Sequence, residues 1–131
     1  MIDDMPLIEC SEELIDRVLT AATNVHRSLG PGLLESVYEL ALMIEFEQMQ
    51  IPARRQVEVP EVYRGRELGN GFRADIIVAD SLLLELKSID ALAPIHLAIT
   101  INNLKLLRIK RGFILNFNVS LLKNGIKRVS I

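Results

Sequence analysis

Tryptophan is absent from this chain, cysteine occurs once, and aromatic residues make up only 5% of its 131 residues. A lone Cys10 excludes an internal disulfide and gives no cysteine spacing for a soft metal. Few aromatics and no zinc-module pattern also leave nothing with which to read a base sequence. The longest apolar runs fall well short of the roughly 20 residues that span a bilayer. The acidic opening Met1-Ile2-Asp3-Asp4-Met5 lacks the basic-then-apolar layout of a signal peptide. Together these absences predict a cytoplasmic protein without a membrane partner. No repeat, low-complexity segment or linker interrupts residues 1–131, which are expected to form one domain with a real core.

Acidic residues are also missing from the last third of the chain. None follows Asp90, whereas Lys105, Arg108, Lys110, Arg111, Lys123, Lys127 and Arg128 all do. The net charge of −2 hides this asymmetry. A basic half joined to an acidic half suggests a phosphate-facing surface. Lys105, Arg108, Lys110, Arg111, Lys127 and Arg128 are accordingly the expected nucleic-acid-binding residues, holding the backbone without base specificity. Solvated surface charge is the ordinary alternative.

What is present is a clear periodicity. Leu14, Val18, Ala21, Val25 and Leu29 recur at helical spacing behind Ser11, a natural N-cap followed by Glu12 and Glu13. Gly30-Pro31-Gly32 breaks that helix. Leu34, Val37, Tyr38, Ala41, Ile44 and Met49 predict a second helix ending before Pro52. Residues 55–63 read as a strand, demoted by Pro60 to an edge or bulge. Arg64-Gly65-Arg66 is a turn signal and Leu68-Gly69-Asn70-Gly71 a second break. Strands are predicted over 72–79 and 82–87, and a helix over 92–108 that Gly112 ends. A buried strand follows over 113–117. Asn124-Gly125 then signals a type I′ hairpin before a last strand, 126–131. This order predicts an α+β fold, a central mixed sheet flanked by helices.

The chemistry concentrates between Phe72 and Lys87. Asp80-Ser81 is a natural reversal between two apolar runs, which brings Asp75 on one strand toward Glu85 on the next. Glu85 and Lys87, two apart, share a face. Two carboxylates beside an ammonium suit a hard cation and an attacking water, the chemistry of phosphodiester hydrolysis. With oxygen donors and no cysteine ligand, Mg²⁺ or Mn²⁺ is the expected cofactor.

The run Gly32-Leu33-Leu34-Glu35-Ser36-Val37-Tyr38, after His26-Arg27-Ser28-Leu29-Gly30-Pro31, resembles the motif of the GxxExxY protein family. That family is grouped with the PD-(D/E)XK nuclease superfamily. The resemblance continues through Gly71-Phe72-Arg73-Ala74-Asp75, Glu85-Leu86-Lys87, Ala93-Pro94-Ile95-His96, Leu115-Asn116-Phe117-Asn118 and Asn124-Gly125-Ile126-Lys127-Arg128, spanning residues 13–130. It implies an αβββαβ restriction-endonuclease-like core. By position it implies Asp75 as the metal-bridging aspartate, Glu85 as the second strand acid and Lys87 as the motif lysine. Glu35 would be an acidic residue supplied by the helix, and the Leu86 carbonyl a further ligand. Tyr38 and His96 are expected to support the site, although a core role suits Tyr38 equally well and both histidines are more often structural than ligands. Asn116 and Asn118 are expected in local turn bonding.

The chain also departs from that family's pattern. Ile99 stands where a glutamine is expected, Asn103 where a tyrosine is expected, and Asn24 where a glutamate often precedes Val25-His26. The implied function is a metal-dependent nuclease-like domain acting on DNA or RNA. The alternative is a catalytically impaired nuclease-fold protein that binds nucleic acid or serves as an oligomeric interaction module. A homodimer is plausible in either case, because one small domain has little surface to grip a duplex.

Overall fold

In a computed structural model, which describes residues 5–131, the chain runs through three α-helices and five strands. The acidic opening Met1 to Asp4 lies outside the described residues. Helix α1 spans Glu12–Leu29, and the Ser11 hydroxyl accepts the Leu14 N–H at 3.1 Å. That contact is the predicted cap, and Gly30 at φ 69° ends the helix. The buried face is Ile15, Val18, Ala21, Ala22, Val25 and His26, so Leu14 lies at its margin and Leu29 outside it.

Helix α2, Glu35–Gln48, buries Tyr38, Glu39, Leu42 and Phe46. The predicted face was wrong here: Leu34, Val37 and Ile44 are exposed. The helix is apolar nearly all round, so its periodicity does not select a face. Tyr38 does. Its ring stacks on Phe117 at 4.3 Å, and its hydroxyl donates to the Gly30 carbonyl at 2.6 Å and accepts the Leu33 N–H at 3.2 Å.

The sheet comprises β1 (Ala53–Tyr63), β2 (Arg66–Val78), β3 (Leu82–Lys87), β4 (Arg111–Asn116) and β5 (Ile126–Ser130), in that spatial order. Only β3 and β4 are parallel. A parallel pair needs a crossover, which α3 (Pro94–Leu107) supplies. The order α2-β1-β2-β3-α3-β4 is the αβββαβ arrangement expected of a restriction-endonuclease-like core. Pro60 sits on the edge strand β1 beside a register shift, as a proline in a strand must. A parallel bridge of Ile8 to Ile109 ties the N-terminal segment to the end of α3.

Three local expectations fail. The Leu68–Gly71 stretch is not a break, because β2 runs through it, held by pairing with Val59 to Glu61 of β1. Gly112 does not end α3 and lies inside β4; Arg108, left-handed at φ 60°, ends the helix. Asn124-Gly125 is not a hairpin turn. It closes a short 3-10 helix, Leu122–Gly125, and a Cβ on Gly125 would lie 2.0 Å from the Asn116 carbonyl oxygen. Close approach, not turn geometry, selects that glycine.

Two apolar layers sandwich the sheet. Ile76, Val78, Leu82, Leu84, Leu86, Phe113 and Leu115 face α1 and α2. Ile77, Leu83, Ile114 and Val129 face α3. Among the described residues no helix is long and apolar enough to cross a membrane.

Candidate metal and active site

Strands β2 and β3 pair through Val78–Leu82, Ile77–Leu83 and Ile76–Leu84, and there the ladder opens. One further step in the same register sets Asp75 opposite Glu85. In place of the next ladder bond, the Asp75 carboxylate accepts the Leu86 N–H at 2.7 Å. Gln56 lies across from Asp75 on β1 with a left-handed backbone, φ 54°, so both neighbours of Asp75 depart from a regular ladder. The side chain therefore enters a fork in the sheet instead of standing on one of its faces.

Glu85 is buried, at 6% exposure, on the α3 side of the sheet. Its carboxylate accepts a 2.9 Å hydrogen bond from the amide of Asn103, itself fully buried on α3. Burial pushes the Glu85 carboxyl up to about 7, helped by the charge of Asp75 and opposed by the Asn103 hydrogen bond and Lys87. Asp75 is also raised, first by burial; the Leu86 N–H and Lys87 pull it back, and Glu39 and Glu35 add to the rise. Two acids that both resist ionisation face one another beside one lysine. Such a pair takes up positive charge readily, as protons or as a cation.

The surrounding loops hold this fork open. The Lys87 carbonyl accepts the Phe117 N–H at 2.9 Å. Asn116 exchanges two hydrogen bonds with the Ile89 backbone, at 3.1 and 3.0 Å, and accepts the Asn118 N–H. Only the bond to Asn118 is the local one expected of Asn116; the two to Ile89 reach across the fold and fix the chain just past Lys87. Ser88 donates to the Leu33 carbonyl at 2.6 Å, joining the end of β3 to the loop that enters α2. Tyr38 clamps the same loop and so positions Glu35, the first residue of α2. His96 accepts the Ala93 N–H at 2.9 Å and caps α3. His26 bonds the Val119 carbonyl at 2.8 Å. Both histidines have structural partners, and Asn24 lies on the exposed side of α1.

Glu35 does not complete a three-carboxylate centre. Among the described residues no group of three or more His, Cys, Asp or Glu side chains is gathered closely enough to hold a metal ion. Glu35 starts a helix on the other side of the fork and reaches Asp75 through its charge. The remaining donors still suit a hard cation: Mg²⁺ commonly binds through one or two carboxylates and keeps several waters. The Asn103 side-chain oxygen, buried and without a hydrogen-bond partner, leaves an acceptor for such a water.

Sequence reasoning missed Glu39. It is 5% exposed, one turn after Glu35, and accepts from Gln56 at 2.6 Å and Arg55 at 3.1 Å. A glutamate four residues after Glu35 in an apolar helix was the available signal. The part played by Asn103 was also hidden, because its partner is set by packing between α3 and β3.

The basic residues are scattered. Leu82, at the start of β3, pairs with Arg111, whereas Lys87, at its end, pairs with Asn116. Arg111 is thus roughly 16 Å along the strand from Lys87. It is bonded to Glu12, which Arg128 also approaches at 3.9 Å while lying over the Phe113 ring. Arg108 donates to the Met5 carbonyl, and Lys110 reaches the Ile131 carbonyl at 3.4 Å. Lys105 and Lys127 are exposed. The basic tract of the sequence is therefore not one patch beside the carboxylates.

A sequence model of the PD-(D/E)XK nuclease superfamily matches residues 12–129. No curated relative and no solved structure matches the chain.

Proposed function

Because the chain belongs to the PD-(D/E)XK nuclease superfamily, we propose that it hydrolyses phosphodiester bonds of DNA or RNA. A hard divalent cation, Mg²⁺ or Mn²⁺, would be held by Asp75 and Glu85. The observation that carries this reading is the fork, where two carboxylates with raised proton affinity converge beside Lys87. When bound, such a cation polarises the phosphate and lowers the pKa of a coordinated water. The chain's own groups do the positioning. Leu86 N–H orients Asp75, Asn103 orients Glu85, and the Leu86 carbonyl, next in sequence after Glu85, would be a further ligand. Lys87 orients the attacking water or offsets charge on the phosphate. Glu35 and Glu39 add negative potential without ligating, which strengthens attraction for a cation.

A second reading, a nucleic-acid-binding or oligomeric module with impaired catalysis, is favoured by Ile99. It lies one turn before Asn103 on α3 and brings only hydrocarbon toward the site, where it neither donates nor accepts a hydrogen bond. The test is a Mg²⁺ and Mn²⁺ titration of melting temperature together with cleavage assays on single- and double-stranded substrates. For a nuclease, cation stabilisation is lost in Glu85→Gln, cleavage is lost in Lys87→Ala, and Ile99→Gln raises cleavage more than binding. Absent cleavage in wild type and Ile99→Gln alike selects the second reading.

A further inference from the structure

The β1–β2 hairpin outgrows the sheet. Only Ile76 to Val78 of β2 pair with β3, yet β2 continues back to Arg66 and pairs with β1 as far as Tyr63. The base of this arm packs on α3 through buried Val59 and Ala74, and Asn102 donates to Glu61 at 3.1 Å. Beyond Glu61 the ribbon is exposed. Register shifts at Val59/Pro60 and Glu61/Val62 mark where it leaves α3, and such irregularities bend and twist a ribbon.

The tip has two different faces. Val62 pairs with Glu67, and both line the open groove beside Lys105 of α3. Tyr63 pairs with Arg66 on the other face, and the Arg64 guanidinium lies over the Tyr63 ring at 5.6 Å. Among the described residues neither Arg64 nor Arg66 has a carboxylate within ion-pair distance, unlike Arg54, Arg55, Arg73, Arg111 and Arg128. The turn itself is two residues long, with Arg64 at φ 51° and Gly65 at φ 74°. Positive φ at both central positions is the type I′ geometry, for which asparagine is the favoured first residue. An arginine there costs backbone energy that an asparagine would not. A strained, unpaired cation stacked on an aromatic ring at the end of a protruding ribbon calls for an external anion.

From Asp75 to Arg66 is nine residues along β2, a reach of up to about 30 Å, close to the ~34 Å turn of B-form DNA. We infer that the β1–β2 arm is a DNA-gripping element that lays Tyr63, Arg64 and Arg66 into a groove of a B-form duplex, about one turn from the Asp75–Glu85 fork. The major groove of B-DNA admits a two-stranded ribbon, whereas that of duplex RNA is too narrow. The inference rests on the nuclease reading only for placing the scissile strand at the fork.

The test uses the full chain in EDTA, so that cleavage plays no part. Binding is measured against a long B-DNA duplex of about 30 base pairs and an RNA duplex of the same length. The variant is Arg64→Asn/Arg66→Gln, which removes both charges and puts the preferred residue in the turn. Affinity for the long duplex should fall at least about tenfold, and the log–log salt slope should shrink by about two, near one per lost phosphate contact. Affinity for the RNA duplex should stay as in wild type. Unchanged affinity and slope on the long duplex overturn the inference. So do an equal loss on duplex RNA or a wild type that binds no duplex DNA. Mg²⁺-dependent cleavage of single-stranded DNA by the arm variant, which needs no duplex groove, reads the nuclease proposal separately.

Discussion

The two ends of β3 carry charge in opposite ways. At its start, beside Leu82, Arg111 meets Glu12 at the surface, with Arg128 close by. Exposed pairs of this kind contribute little to stability and are screened by salt. At its other end Glu85 is buried and Asp75 enters the opened ladder; Asp75 accepts the Leu86 N–H, and Glu85 accepts from the Asn103 amide and the Asp75 backbone. Burial there costs stability that these hydrogen bonds and Lys87 only partly offset. One end thus uses charge to fasten α1 to the sheet, and the other stores unsatisfied attraction for positive charge. Charge counted along a sequence does not distinguish these uses; the number of partners and the access of water do.

The largest difference between the ends should appear in catalysis. Lys87→Ala is expected to lower metal-dependent cleavage by about 10²–10³, the loss typical of one electrostatic group aimed at a transition state. Arg111→Ala should change cleavage less than about threefold. Similar losses for both variants would erase the distinction.

Stability against pH sharpens it. Glu85 titrates near 7 in the folded chain against an ordinary value of 4.5, so the folded state binds more protons than the unfolded state between those values. Stability should therefore fall as pH rises from about 4.5 through 7 and then level off, by on the order of 3 kcal/mol. Asp75, also raised, adds in the same direction. Denaturant melts of wild type and Glu85→Gln check this, because the variant should lose most of the slope. Equal slopes would place the titration elsewhere.

A smaller effect concerns the support of Glu85. Asn103→Leu removes the amide donor and should cost about 1–3 kcal/mol at pH 8, where the carboxylate is charged, and less at pH 5, where it is protonated. A cost that does not vary with pH would mean that Asn103 acts by packing alone. At the opposite end, the coupling that a double-mutant cycle reads between Glu12 and Arg111 should be smaller still and should shrink in salt.

Much of this was legible in the chain. Ser11, the spacing from Val18 to Val25, and the reversal at Asp80-Ser81 each specify local structure, and local structure follows local chemistry. The approach of Asp75 to Glu85 followed from the short reversal that joins their strands. Three things were not legible, for one reason. The buried face of α2, the bond from Asn103 to Glu85, and the dispersal of Arg108, Lys110, Arg111 and Arg128 all depend on which element packs beside which. An apolar helix such as α2 has no face until Tyr38 finds Phe117 and Gly30. Asn124-Gly125 misled in the same way, since a glycine needed for close approach to Asn116 looks the same as one needed for a turn.

The most direct measurement is the proton count on cation binding at pH 6.5. Titration calorimetry with Mn²⁺ or Mg²⁺ in buffers of different ionisation enthalpy gives that count. If Asp75 and Glu85 hold the cation, binding should release a substantial fraction of a proton from Glu85. Release should vanish near pH 9 and be absent in Glu85→Gln. Binding without proton release at pH 6.5, or with the same release in Glu85→Gln, would contradict the assignment of the fork as the metal site.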